Sequence, residues 1–221
     1  MTELQQLAMP LSNNQIEAAS RFFEKDGWEY KEMGQLRRAF PDCHDAVRVK
    51  AMAVNALYGT NIIAITKVGD CVQRVLNRNH SIDPELVEEL VVEIRTITKQ
   101  KNYCFSAKYA HFFIDSDLPI LDWYAEWMVA KHLGILQSAN PKRYLKFAAD
   151  IVMLKQVAGL TCNCAELDAY LWVAGEYLIW KANPSTKVNG ELKPHFEELA
   201  KSPENEPALR SLLGLDVSAT T

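Results

Sequence analysis

The residues best suited to chemistry sit in one run, Cys104-Phe-Ser-Ala-Lys108-Tyr-Ala-His-Phe-Phe-Ile-Asp-Ser-Asp-Leu-Pro-Ile-Leu-Asp122-Trp. Lys108 falls in the first turn or so of an expected helix, near its positive end and among Phe105, Tyr109 and Phe112. An amine placed there is disfavoured as a cation, so its pKa should fall and it can serve as a nucleophile. Asp122 lies just after the following turn. Spacing alone leaves the ordinary alternative open, in which Lys108 is a surface lysine and Asp122 a helix N-cap. His111, one turn from Lys108, reads as a satisfied helix-face histidine. Cys162-Asn-Cys164, with no second pair and no nearby histidine, reads as a helix-start loop, and no metal site is expected.

These residues need helices to hold them, and the sequence supplies helical spacing almost throughout, with few stretches that alternate as a half-buried strand does. The expected fold class is all-α. Ser12-Asn-Asn opens a helix over Gln15 to Phe23, and Gly27, Gly34 and Pro41 then punctuate an irregular region with Trp28, Tyr30 and Phe40 and room for a short hairpin. Asp42 can cap a helix that carries Val47 to Leu57 and ends at Gly59. Thr60 and Asn61 start the next, with Ile62, Ile65, Val68, Val72 and Val75 on one face. Asp83-Pro84 opens a helix through Ile94. Phe105 to Phe113 forms a short helix, Asp115 to Pro119 a turn, and Ile120 to Leu133 a helix ended by Gly134. Asn140-Pro141 caps a helix to Val157, Asn163 or Cys164 precedes another over Ala165 to Lys181, and short helical pieces follow.

Composition narrows the function classes. A hydrophobic content of 48% is that of a folded globular chain. No run approaches the roughly eighteen apolar residues of a membrane span, and Met1-Thr-Glu-Leu-Gln-Gln lacks the start of a signal peptide, so a cytoplasmic, membrane-free protein is expected. Five cysteines without a regular framework fit free thiols in a reducing compartment. The net charge of −4 excludes a surface coated in basic residues. Locally the balance reverses: between Ile94 and Ile114 the formal charges are Arg95, Lys99, Lys101 and Lys108, all positive, which points to an anionic partner.

Ser106-Ala-Lys108 followed by Leu118-Pro-Ile-Leu-Asp122 resembles the lysine-then-aspartate signature of the helix-hairpin-helix DNA glycosylases, especially their oxoguanine-removing branch. There a hairpin of the form L-P-G-V-G-x-K precedes a helix, and an aspartate follows an apolar P-x-x-D-like turn. Asn55-Ala-Leu-Tyr-Gly-Thr-Asn61-Ile-Ile-Ala-Ile-Thr is similar to the asparagine-rich turn and I-x-x-I-T helix start of the same branch. Together the two segments anchor roughly residues 45 to 135. The chain departs from the pattern in carrying Cys104 and Ser106 where the hairpin has glycines, Asn102-Tyr103 where it has Leu-Pro, and a shorter interval from Lys108 to Asp122.

The resemblance implies a single domain over 1–221 with two helical sub-lobes, about 40–135 and 1–39 plus 136–221, and a cleft between them. It implies a monomeric repair enzyme with AP lyase activity, needing no cofactor, that acts on double-stranded DNA carrying an oxidised purine such as 8-oxoguanine. Lys108 would attack C1′ of an extruded nucleotide, and Asp122 would stabilise the charge that develops on the sugar and help deprotonate the lysine. Arg95, Lys99 and Lys101 would hold backbone phosphates, and Asn61 would fill the space the base vacates. Asp168 and Trp172, one helical turn apart, can line a base pocket, although an aromatic stripe at that spacing is more often core. Two other classes fit the same residues: a non-catalytic relative that binds DNA lesions or ends, and a helical protein-interaction module whose aromatic C-terminal helix docks a partner.

Overall fold

The computed structural model describes residues 11–26, 29–40, 44–78, 81–135 and 142–215, and every regular element among them is helical. Eleven α-helices follow in order: α1 (Asn13–Asp26), α2 (Glu29–Ala39), α3 (His44–Leu57), α4 (Ile65–Arg78), α5 (Pro84–Thr98), α6 (Tyr103–Phe113), α7 (Trp123–Leu133), α8 (Arg143–Ala158), α9 (Cys164–Ala182), α10 (Leu192–Lys201) and α11 (Pro207–Leu212), with a 3-10 turn at Pro203–Asn205. They form two compact units. One comprises Gly27–Asp122 with Ala139–Ala149, the other Met1–Asp26, Trp123–Ser138 and Asp150–Thr221.

In the unit built on Gly27–Asp122, α3, α4, α5 and α6 pack in sequence. Their contact faces are Val47, Ala51 and Val54 of α3, Val68, Cys71, Val72 and Val75 of α4, and Leu86, Val87, Leu90, Val91 and Ile94 of α5, all buried. Each of the buried Val, Leu and Ile side chains among them contributes about 1.5–3 kcal/mol. Gly69 sets how closely α3 and α4 approach, since a Cβ there would lie 2.9 Å from Cγ and 3.0 Å from Cα of Arg48. Backbone cannot give way as a flexible tip can. Gly69→Ala is therefore expected to destabilise the protein by about 2 kcal/mol and lower the thermal midpoint by about 4–8 °C. A melting curve that matches the parent protein would contradict this packing. Arg74 and Arg78 of α4 both bind Glu93 of α5, at 2.9 and 2.7 Å, and tie that pair along its outer edge.

The other unit surrounds α9. Asn163 caps this helix reciprocally with Glu166, at 2.9 and 2.8 Å, satisfying two amides that the first turn would otherwise leave without partners. Tyr177 and Trp180 pack against Phe196 of α10 at 5.4 and 5.8 Å, so this part of the aromatic stripe is core. Gly175 lets α7 lie close, with Tyr124 Cβ and Met128 Cγ at 3.1 and 3.2 Å from where a Cβ would stand. α1 is anchored by buried Ile16, Ala18, Ala19 and Phe22 and by the Gln15 side-chain amide, which donates to the Leu212 carbonyl at 3.2 Å.

His132 of α7 sits 3.2 Å from the Tyr170 hydroxyl, and burial, followed by the charge of Lys131, pushes its pKa down to about 4. The unfolded ring takes up a proton near its ordinary 6.5, so the unfolded state binds more protons between those values. The stability of the neutral ring is thus fully present above about pH 6.5 and is lost as pH falls toward 4, by a total on the order of 3 kcal/mol. The thermal midpoint should decline across that window, and His132→Gln should flatten the decline. An unchanged slope in the variant would refute the assignment.

Three expected elements are placed differently. The segment with room for a hairpin is α2, which runs through Gly34 because Met33, only 1% exposed, anchors its inner face. A single helix glycine costs about 1 kcal/mol, less than such an anchor contributes. Thr60 and Asn61 do not start a helix: they lie in the irregular connection after the turn at Tyr58 and Gly59, and α4 begins at Ile65. The helix expected from Ile120 begins at Trp123, because Ile120 and Leu121 are buried, at 3% and 1% exposure, from a non-helical connection. Trp28, the expected caps Asp42 and Asn140-Pro141, and the side chain of Tyr30 lie outside the described residues.

Candidate active site

Three successive elements present Lys108. Asp83 caps α5, its carboxylate accepting from the Glu85 amide at 3.0 Å. The helix ends at Lys99, whose backbone is left-handed (φ 61°) and whose amide and ammonium donate to the carbonyls of Arg95 and Thr96, at 2.9 and 2.8 Å. This is where the chain reverses, four residues before α6. A left-handed non-glycine residue stores about 1–2 kcal/mol, which the surrounding contacts must hold. Cys104 and Ser106 therefore do not occupy the reversal; they lie inside the first turns of α6, and the strained position belongs to Lys99. The α6 N-terminus carries no side-chain cap, because the Asn102 amide instead donates to Thr98 Oγ1 and the Gln100 carbonyl.

Helix α6 begins two residues earlier than expected, so Lys108 occupies its second turn. Its ammonium lies 3.2 Å from Asp122 Oδ2, with the two side chains 10% and 11% exposed. It also lies 4.5 Å from the ring centroid of Tyr58, which stacks on Phe112 at 5.5 Å. A carboxylate and an aromatic face both favour the ammonium form, whereas burial disfavours it. The amine is thereby held in one place with a proton acceptor in contact.

The connection from α6 to Asp122 is fixed at each step. The Asp115 amide donates to the Ala110 carbonyl, and the Asp117 amide to the Asp115 carboxylate, both at 2.9 Å. His111, 2% exposed, places Nδ1 2.9 Å from the Leu118 carbonyl, and burial lowers its pKa, so the neutral ring acts as a strut as its helix-face position suggested. Tyr144 donates its hydroxyl to the Pro119 carbonyl at 2.9 Å. Glu88, itself buried, accepts from the Tyr144 amide at 2.8 Å and from the Tyr103 hydroxyl at 3.1 Å, linking the start of α8 to the start of α6. Both ends of the Lys108–Asp122 contact are thus braced by the same buried network. Tyr58, Glu88 and Tyr144 escaped the sequence reading, since each is an ordinary core type until its partners are known.

Asn61 is the second left-handed non-glycine residue, at φ 54°. Asn55 staples its turn, with the Ile62 amide and the Thr60 hydroxyl donating to Oδ1 at 2.8 and 2.7 Å and its own amide donating to the Ile62 carbonyl at 3.2 Å. The turn follows Tyr58 directly, so the two sequence segments meet where Tyr58 faces Lys108. At its outer edge Ile63 is fully exposed, at 102% of the reference area, a position no pattern in the sequence marks.

Arg95, Lys99 and Lys101 are all exposed around the α5–α6 reversal. Asp168 is buried and Trp172 packs on Phe23 at 5.8 Å, both on α9 in the other unit. Among the described residues no cluster of three or more His, Cys, Asp or Glu side chains is placed to hold a metal, and no helix is long and apolar enough to cross a membrane.

A family model described as HI_0787_N, N-terminal domain, matches residues 13–117. That span is similar to this family and includes Asn61, Arg95, Lys99, Lys101 and Lys108, while Asp122 lies beyond it. No curated protein and no solved structure matches the chain.

Proposed function

We propose that the protein is a DNA glycosylase with AP lyase activity that removes an oxidised purine, most simply 8-oxoguanine, through a Schiff base on Lys108. The observation that carries this reading is the Lys108–Asp122 contact at 3.2 Å, almost withdrawn from water, with the Tyr58 ring 4.5 Å from the ammonium. Asp122 takes a proton from the ammonium, and the freed amine attacks C1′ of the nucleotide. The N-glycosidic bond breaks, its electron pair leaving with the base, which is then protonated. Ring opening of the resulting aminal gives an imine, and loss of a C2′ proton expels the 3′ phosphate by β-elimination. Positive charge grows on the sugar during the first step, where the Asp122 carboxylate stabilises it.

The approach to this pair has the features a duplex requires. Arg95, Lys99 and Lys101 put exposed positive charge along the end of α5 and the connection to α6, where backbone phosphates would be favoured. On the Tyr58 side, the rigid turn carries Asn61 to occupy the vacated stack and exposes Ile63, an apolar wedge that can part neighbouring bases.

Borohydride added to a mixture of protein and oxoguanine duplex tests the reading, because it reduces the imine to a stable amine. A covalent protein–DNA adduct supports it. Binding without an adduct on oxoguanine, uracil, alkylated or abasic duplexes would contradict it.

A further inference from the structure

Helix α7 starts one residue after Asp122 and carries a row of side chains that the chemistry above does not use. Trp123 and Trp127 are parallel to within 3°, with ring centroids 6.1 Å apart, and the Lys131 ammonium lies 5.1 Å from the centroid of Trp127. The spacing i, i+4, i+8 places all three along one helical stripe. Trp123 is 54% exposed, although tryptophan is a residue that folding normally covers. The Trp123 edge-to-face contact with Tyr124, at 5.2 Å and 75°, fixes the orientation of the outer indole. Lys131 Nζ is buried with no hydrogen-bond partner, and burial alone lowers its pKa. It acts on the row through the Trp127 ring face, leaving the indoles as the part that a ligand can meet.

We infer that Trp123 and Trp127 form a stacking platform for an unpaired purine base of the bound DNA. The inference rests on the glycosylase reading for its ligand, and it adds the class of group that docks on α7. Trp123 follows Asp122 directly in the chain, at the first position of α7. A flat π face is what the exposed Trp123 indole, parallel to the half-buried Trp127, recognises, and every nucleobase offers one once it leaves the stack. Purines present the larger face. Glu126, three residues after Trp123, borders the same stripe and would repel a phosphate placed there, which favours a base over the backbone as occupant.

The experiment uses the full chain and a duplex carrying one 2-aminopurine opposite an abasic analogue, with a fully paired duplex for comparison. The parent protein should quench the 2-aminopurine emission and bind this duplex more tightly than the paired one. Trp123→Ala should lose the quenching and bind it about 5- to 100-fold more weakly, while Trp123→Phe should retain most of both. Trp123 is half exposed, so the variants should melt near the parent temperature, which circular dichroism checks. Lys108→Gln should quench like the parent, and this separates the platform from the chemistry. Quenching that survives Trp123→Ala overturns the platform even where borohydride traps an adduct. Quenching that depends on Trp123 without any adduct upholds the platform and removes the glycosylase reading. A parent protein that binds neither duplex overturns both.

Discussion

Lys108→Gln is expected to abolish the borohydride-trapped adduct and to lower base release by roughly 10,000-fold or more, the scale on which loss of a covalent nucleophile acts. Glutamine has no nucleophilic amine, yet its amide can still donate to Asp122, so the side chain 3.2 Å away keeps a neutral partner. That choice matters for folding. Removing one member of a buried ion pair outright costs about 3–5 kcal/mol, whereas a remaining hydrogen bond reduces the loss. The variant should therefore fold, with a lowered thermal midpoint, and still bind lesion duplex. Restoration of the midpoint by the double change Lys108→Gln with Asp122→Asn would show that the two side chains are coupled directly. A single variant that retains the adduct would move the nucleophile elsewhere.

Asp122→Asn is expected to lower the single-turnover rate of base release by about 100- to 1,000-fold, with little change in duplex affinity. The carboxylate has two functions in the proposed reaction, accepting the lysine proton and facing the charged sugar, and the amide performs neither. The signature is a lower rate of base release with duplex affinity retained, the pattern of a group that acts on the transition state rather than on binding. A variant whose rate matches the parent at neutral pH would reduce Asp122 to a structural partner of Lys108.

The helical class was legible because helical spacing recurs through nearly every segment, and the caps at Asp83 and Asn163 stand where their types predicted. The meeting of Lys108 with Asp122 was legible through a motif, while its geometry depends on residues with no local signal. Tyr144 reaches Pro119 across 25 positions, and Glu88 reaches Tyr144 across 56, so neither bond has any signature within a window of sequence. Local rules also failed where tertiary burial outweighed them. Gly34 remained inside a helix because Met33 is buried, and Ile120 and Leu121 stayed out of one because their non-helical backbone buries both side chains. The strained turn offers the sharper lesson. Two missing glycines marked Cys104 and Ser106 as the altered hairpin, yet the chain reverses at Lys99, and a left-handed lysine has no sequence pattern that identifies it in advance.

The central claim is that Lys108 bonds to the sugar, and the most direct measurement is mass spectrometry of the adduct after borohydride reduction and proteolysis. The account predicts one modified peptide, carrying a reduced deoxyribose remnant on Lys108. A remnant on another lysine, or no adduct from the parent protein on any lesion duplex, would contradict it.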